Sequence, residues 1–212
     1  MKKLLPALLA LLLAPAAGLA QQAAGDLPGL DDLPPPPRYI AGYFSASGGL
    51  AAPFGGHWGD SSAGFKPSPL YTVSGSKRVD ETLSYGLESS YASGYAQRKL
   101  RGLEVRMFSL TPFVKASFPD DDTIYYGIFG AGVYQWAQPA FAGHASGSGT
   151  SGGLNLGGGV TYPFWWGTRV GLDLRWHHVF SLKGDNFDLG SADSLCAAFV
   201  MQWSVWKDNP KK

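Results

Sequence analysis

The sequence predicts an all-β protein, an eight-stranded antiparallel up-and-down transmembrane β-barrel, and three observations predict it. First, residues 152–181, GGLNLGGGVTYPFWWGTRVGLDLRWHHVFS, form two alternating runs around the short break Pro163-Phe164-Trp165-Trp166-Gly167. Successive side chains of a strand point to opposite faces. Val170, Leu172, Leu174 and Trp176 therefore share one face, and Arg169, Gly171, Asp173, Arg175 and His177 the other. Second, both runs exceed the roughly 9–11 residues that a tilted strand needs to cross a bilayer, and aromatic residues gather at the break, where a membrane–water interface would lie. Third, long and short connections alternate along the chain, as in barrels with short periplasmic turns and longer external loops.

Taken in order, residues 1–20 read as a secretory signal. Lys2 and Lys3 form its charged region, Leu4 to Leu13 its apolar region, and Ala17-Gly18-Leu19-Ala20 offers small residues before Gln21. The apolar run falls short of the ~20 residues a helical span needs. No later apolar stretch is long enough for a helical span, so insertion is expected by strands. Residues 21–37, QQAAGDLPGLDDLPPPP, read as a Pro-rich periplasmic linker, because consecutive prolines favour polyproline geometry and cannot donate to a ladder. The barrel is assigned to 38–206 and a polar tail to 207–212.

The first strand is read over about 38–51, followed by a long loop, 52–66, holding His57 and Trp58. A strand over about 67–76, with Tyr71 and Val73 on its apolar face, leads to a turn at Lys77-Arg78-Val79-Asp80. In the third strand, about 82–92, Leu83, Tyr85, Leu87 and Tyr91 alternate with Ser84, Gly86, Glu88 and Ser90. After a loop at 93–101, the fourth, about 102–118, sets Leu103, Val105 and Met107 against Glu104 and Arg106; then Phe108, Leu110 and Val114 become the apolar set. The adjacent pair Met107-Phe108 predicts a β-bulge there, with Pro112 in the same distortion. Pro119 to Asp122 make a turn, and the fifth strand, 123–138 (TIYYGIFGAGVYQWAQ), is apolar or glycine on both faces. Small residues inside a narrow barrel leave room for bulkier partners. A loop at 139–151 holds His144. The 152–181 hairpin and a loop at 182–192 precede the last strand, about 193–206. Its Leu195, Ala197, Phe199, Met201, Trp203 and Val205 face outward, while Ser194, Cys196, Ala198, Gln202 and Ser204 face inward.

The formal net charge of +1 becomes −1 once Lys2 and Lys3 leave with the signal, and no basic cluster suggests nucleic acid. The lone Cys196 cannot form an intrachain disulfide and reads as a small lumenal or wall residue. A secreted soluble barrel of lipocalin type would turn its large aliphatics inward. Here the charged residues share a face with glycine and serine, and the aliphatics take the other, which favours the membrane.

With YYGIFGAGVY, GGLNLGGGVTY, RVGLDLRWHHVF and an aromatic-rich final strand, residues 38–206 resemble the outer-membrane β-barrel domain family, small eight-stranded barrels related to outer-membrane proteins A, W and X. The resemblance implies a Gram-negative outer-membrane location with both termini periplasmic, contact with membrane lipid and lipopolysaccharide, insertion by the barrel-assembly machinery, and a monomer. Family members commonly end on an aromatic residue; here Trp206 is followed by Lys207 to Lys212, so the assembly signal is expected to be internal, in FVMQWSVW.

Glu88, Glu104, Arg106, Lys115, Arg169, Asp173, Arg175 and His177 all fall on the expected lumenal face. Charges enclosed in a low-dielectric interior tend to pair, so they are expected to form an ionic network filling the lumen; a gated ion path is the sharper alternative. Trp136, Phe164, Trp165, Trp166, Trp176, Trp203 and Trp206 are expected to form the interfacial aromatic girdle. His177 and His178 point to opposite faces of one strand and cannot readily share a metal. No metal, cofactor or catalytic residue is expected. The function expected is a structural or surface-interaction role. The alternatives are a narrow pore or conduit for small solutes or apolar molecules, as the resemblance allows, and a lipid A-modifying hydrolase. Some lipid A deacylases are barrels with a His-x-Ser spacing, which is missing here.

Overall fold

The computed structural model describes residues 39–207 apart from 141, 144, 185 and 186. The expected signal and linker, His144 and residues 208–212 of the tail lie outside the described residues. Eight long strands form the wall: β1 (Tyr39–Phe54), β2 (Ser68–Arg78), β3 (Leu83–Ala96), β4 (Glu104–Asp120), β5 (Thr123–Gln138), β6 (Gly147–Trp165), β7 (Thr168–Val179) and β8 (Ala192–Lys207). Each pairs antiparallel with its neighbours in sequence, and β8 pairs with β1 to close the ring. Among the described residues, closure leaves the barrel wall without an edge strand.

The connections set the two ends apart. Three are tight. Trp166 (φ 46°) and Gly167 (φ 73°) both take positive φ between β6 and β7, the geometry whose twist matches a hairpin. Between β2 and β3, Asp80 Oδ1 accepts from the Thr82 amide (2.8 Å), the Thr82 hydroxyl (2.9 Å) and the Leu83 amide (2.7 Å). The other end carries the long loops, and the last of them holds a two-residue ladder, Lys183–Gly184 with Phe187–Asp188.

The outer wall is apolar around the ring, with Phe44, Val73, Leu87, Leu110, Val114, Phe129, Leu156, Leu172, Leu174 and Phe199 all exposed on it. Exposing such a band costs a water-soluble protein heavily and suits a lipid-embedded one.

The expected bulge at Met107-Phe108 is absent. The β3–β4 register runs unbroken from Leu83↔Ala116 to Ala92↔Met107, and the irregularity falls between Ala92 and Tyr95 on β3. Pro112 pairs in register with Leu87. Along β4, Val105, Met107, Ser109, Thr111, Phe113 and Lys115 all face in, and Glu104, Arg106, Phe108, Leu110 and Val114 all face out. The alternation never slips; the polarity of the two faces is exchanged near the loop end. Glu104 and Arg106 are therefore not lumenal. They pair with each other on the outer surface (Arg106 Nε to Glu104 Oε1, 2.9 Å), with the Arg106 side chain 51% exposed. The same exchange moves Trp136, which is 1% exposed, from the expected girdle into the interior.

Candidate functional site: the lumen

Inward positions of five strands converge on Arg175 of β7. Its Nη1 donates to Glu88 Oε2 of β3, Nε donates to Asp173 Oδ1 (3.0 Å), and Nη2 donates to Asp173 Oδ2 (2.8 Å). Asn155 Nδ2 of β6 donates to Glu88 Oε1 at 3.2 Å, and the Tyr126 hydroxyl of β5 donates to Asp173 Oδ2 at 2.9 Å. Lys115 of β4 donates to Gln202 Oε1 (3.0 Å) and lies 3.9 Å from the centre of the Tyr126 ring, a cation–π contact. Two carboxylates thus face one guanidinium and one ammonium, with Asn155, Tyr126 and Gln202 as polar partners. This is the arrangement in which enclosed charges are tolerated.

Glycines on the inward face of β6 make room for it. A Cβ at Gly159 would stand 2.5 Å from the Tyr126 hydroxyl, and one at Gly157 would stand 2.9 Å from Arg175 Cγ. The remaining inward residues of the expected set sit apart from this cluster. Arg169, at the turn end, donates through Nη2 to the carbonyls of Asp122 and Thr161 and so ties β7 to the β4–β5 turn. His177, one inward position above Arg175, shares a 3.0 Å hydrogen bond with the Tyr134 hydroxyl.

Above His177 the interior turns apolar. Trp58, Phe65 and Leu182 from the loops pack with Leu70, Tyr95, Val105, Met107, Trp136 and Val179 of the wall. The Trp58 ring lies 4.5 Å from Phe65 and 4.8 Å from Tyr95, and its Nε1 donates to Ser194 Oγ at 3.2 Å. The sequence places Trp58 in a loop and near a strand end, as a girdle tryptophan would be, and does not single out Phe65, Tyr95, Tyr134 or Leu182. For Trp58, Phe65 and Leu182 the available signal is a bulky apolar residue in a loop rich in Gly, Ser and Asp.

The enclosed cavities among the described residues are small. One cavity of about 20 Å³ lies against Glu88, Lys115 and Arg175, and another of about 20 Å³ lies between His177 and Tyr95; each suits about one water molecule. The turn end is wider, an open groove of about 360 Å³ bordered by Ile40, Pro163, Trp165, Arg169 and Trp206.

Phe164, Trp165, Trp166, Trp203 and Trp206 are exposed near the short turns, Trp166 most of all at 89%. Trp176 lies toward the loop end, where its Nε1 donates to Asp193 Oδ1 (2.8 Å); the same oxygen is 2.8 Å from His178 Nδ1. His178 is thus an outward residue with a carboxylate partner, and position 180, two residues on, is Phe180.

No family model matches the chain, and no curated protein matches it in sequence. Solved structures do match its backbone. Neisserial surface protein A is similar with a TM-score of 0.58 and 15% identity, over 76% of this chain and 96% of that one. The N-terminal β-barrel domain of OprF from Pseudomonas aeruginosa is similar at 0.46 and 12%, over 77% and 98%. The outer membrane protein OprG of the same organism is similar at 0.46 and 12%, over 79% and 98%. With the apolar outer belt, the first of these likenesses makes the fold that of a small eight-stranded outer-membrane barrel.

Proposed function

We propose that this chain is a structural barrel of the outer membrane that keeps its lumen shut and presents its long loops at the cell surface. The observation that supports the reading is closure at two heights: the ion-paired layer around Arg175 and, above it, the apolar plug around Trp58. A narrow pore would require both to part together. Lipid hydrolysis would require a nucleophile beside a base, and among the described residues the hydrogen-bond partner of His178 is Asp193. Ring closure by β1 and β8 offers no edge for strand exchange, in keeping with a monomer inserted by the barrel-assembly machinery. Planar-bilayer recording of the reconstituted full chain tests the reading. No steady conductance is expected at any voltage between pH 5 and 8, and a stable unit conductance of the wild type would refute it.

A further inference from the structure

The loop-end rim is electrically lopsided. Lys66, Arg98, Lys99, Arg101 and Arg106 are all exposed in the sector of β2, β3 and β4, against Asp60 and Glu104. Around the closed ring, the β7–β8 loop lies four strands from the β3–β4 loop, diametrically opposite, and this side carries Asp188 and Asp193 against Lys183. The basic side is also firmly built. Phe65 and Gln97 bridge the first two loops, the Lys66 amide donates to the Ala96 carbonyl (2.9 Å), and the Arg98 amide donates to the Gly64 carbonyl (2.9 Å). The backbone under these cations is therefore fixed by hydrogen bonds between loops.

Height and direction narrow the partner. Outward positions on β4 run Val114, Leu110, Phe108, Arg106, Glu104 toward the loops, and Tyr91 on β3 stands opposite Phe108. Arg106 is thus two residues, ~7 Å at the usual strand rise, beyond the last aromatic of the lipid-facing column, at the depth where hydrocarbon gives way to headgroups. It faces sideways into that layer, and the remaining cations of the sector lie in the loop tier above it. Its pair with Glu104 uses Nε alone, which leaves both terminal nitrogens for an acceptor with two oxygens.

The geometry points to a lateral binding site for the phosphates of the outer leaflet's glycolipid, with Arg106 at the hydrocarbon boundary and Arg98, Lys99 and Arg101 above it. Basic clusters at a membrane surface bind anionic headgroups through charge and paired N–H donors. The inference rests on the outer-membrane reading with the long loops outside, but not on whether the lumen conducts.

The test is binding to the folded full chain in detergent micelles. The probes are lipid A with two phosphates, its monophosphorylated form, inorganic phosphate and a sulfated polysaccharide. The wild type should prefer two phosphates to one, lose affinity as salt rises, and be poorly competed by inorganic phosphate. Replacing Arg98, Lys99, Arg101 and Arg106 together with Gln should weaken binding of the diphosphorylated lipid by at least about tenfold and flatten its salt dependence. Replacing the three arginines with Lys should restore most of the affinity. K77Q/R78Q, at the opposite rim, should change nothing. Heat-modifiable migration reports whether each variant is folded, and the comparison of two phosphates with one needs no variant at all. Indifference to phosphate number, undiminished binding by the Gln variant, or tighter binding of the polysaccharide than of the diphosphorylated lipid would each overturn the proposal.

Discussion

Toward the short turns the barrel encloses Glu88, Lys115, Asp173 and Arg175 and shows lipid Leu87, Val114, Leu172 and Leu174; toward the long loops it encloses Val105, Met107, Trp136 and Leu182 and shows Glu104 and Arg106 to its surroundings. β4, β5 and β7 run through both regions without a change of phase. Period and polarity are therefore separate properties of a strand. The period is fixed by backbone geometry, whereas the polarity of each face follows what it meets. Outside, apolar side chains give way to charged ones beyond Phe108 on β4. Inside, an ion-paired layer gives way to side chains that fold down from the loops. The upper region thus resembles the core of a water-soluble protein mounted on a membrane barrel.

Breaking the lower region should have the largest effect. Glu88 is 1% exposed and Arg175 13%, so Glu88→Ala leaves an enclosed guanidinium with one carboxylate where it had two. About 3–5 kcal/mol of stability is expected to be lost, read from the urea concentration at which the heat-modifiable band disappears. Removing both partners, as in E88A/R175A, should cost less than the sum of the two single losses, with Asp173 then left without its guanidinium. If the double variant were as unstable as the sum of the singles, the layer would not be acting as a coupled network.

The boundary itself can be located with a charge placed on the outer wall. Leu172 pairs with Val160 and Phe199 in the middle of the belt, whereas Gln135 pairs with Phe108 at its upper margin. Leu172→Arg should cost about 2–4 kcal/mol and Gln135→Arg about 0–1, by the same unfolding measurement. Equal costs at the two positions would mean that the belt extends past Phe108 and that the exchange of polarity has another cause.

That exchange also explains what the sequence could and could not tell. The hairpin of β6 and β7, the number of strands and the alternation of long and short connections follow from period and turn chemistry, both local. The side taken by Glu104 and Arg106 does not, because an inversion of polarity on both faces imitates a shift of one residue. Met107-Phe108 therefore looked like a bulge, and only the unbroken pairing with β3 distinguishes the two. Nearness to a strand end suggests the girdle for Trp136, whereas its parity with Tyr126 and Tyr134 on β5 puts it inside. The plug residues Trp58, Phe65 and Leu182 lie in loops, which have no period from which to read a face. The glycines of β6 read simply as a polar face, since the space they leave is visible only with Tyr126 and Arg175 in place.

The two ends share one small device, which offers the mildest test. Asp60 in the first long loop accepts from the Ser62 amide (2.6 Å), the Ser62 hydroxyl (2.8 Å) and the Ala63 amide (3.0 Å), the same pattern that Asp80 makes in the β2–β3 turn. The Ser62 amide first, then its hydroxyl and the Ala63 amide, hold the Asp60 carboxyl down at about 2, and amides of Leu83 and Thr82 lower Asp80 likewise. Because the folded value lies below the ordinary 3.8, the stabilisation of the turn is complete above that pH and is lost as pH falls toward 2. Asp60 is fully exposed, so the barrel as a whole should hardly respond, and the effect should stay within the loop. In an acid titration followed by NMR, the Ser62 and Ala63 amide signals should move with a midpoint near pH 2, and Asp60→Ala should abolish the transition and speed hydrogen exchange at both amides. A midpoint near 3.8 would mean that the first loop does not hold this turn in solution, and the support beneath Lys66 and Arg98 would be loosened with it.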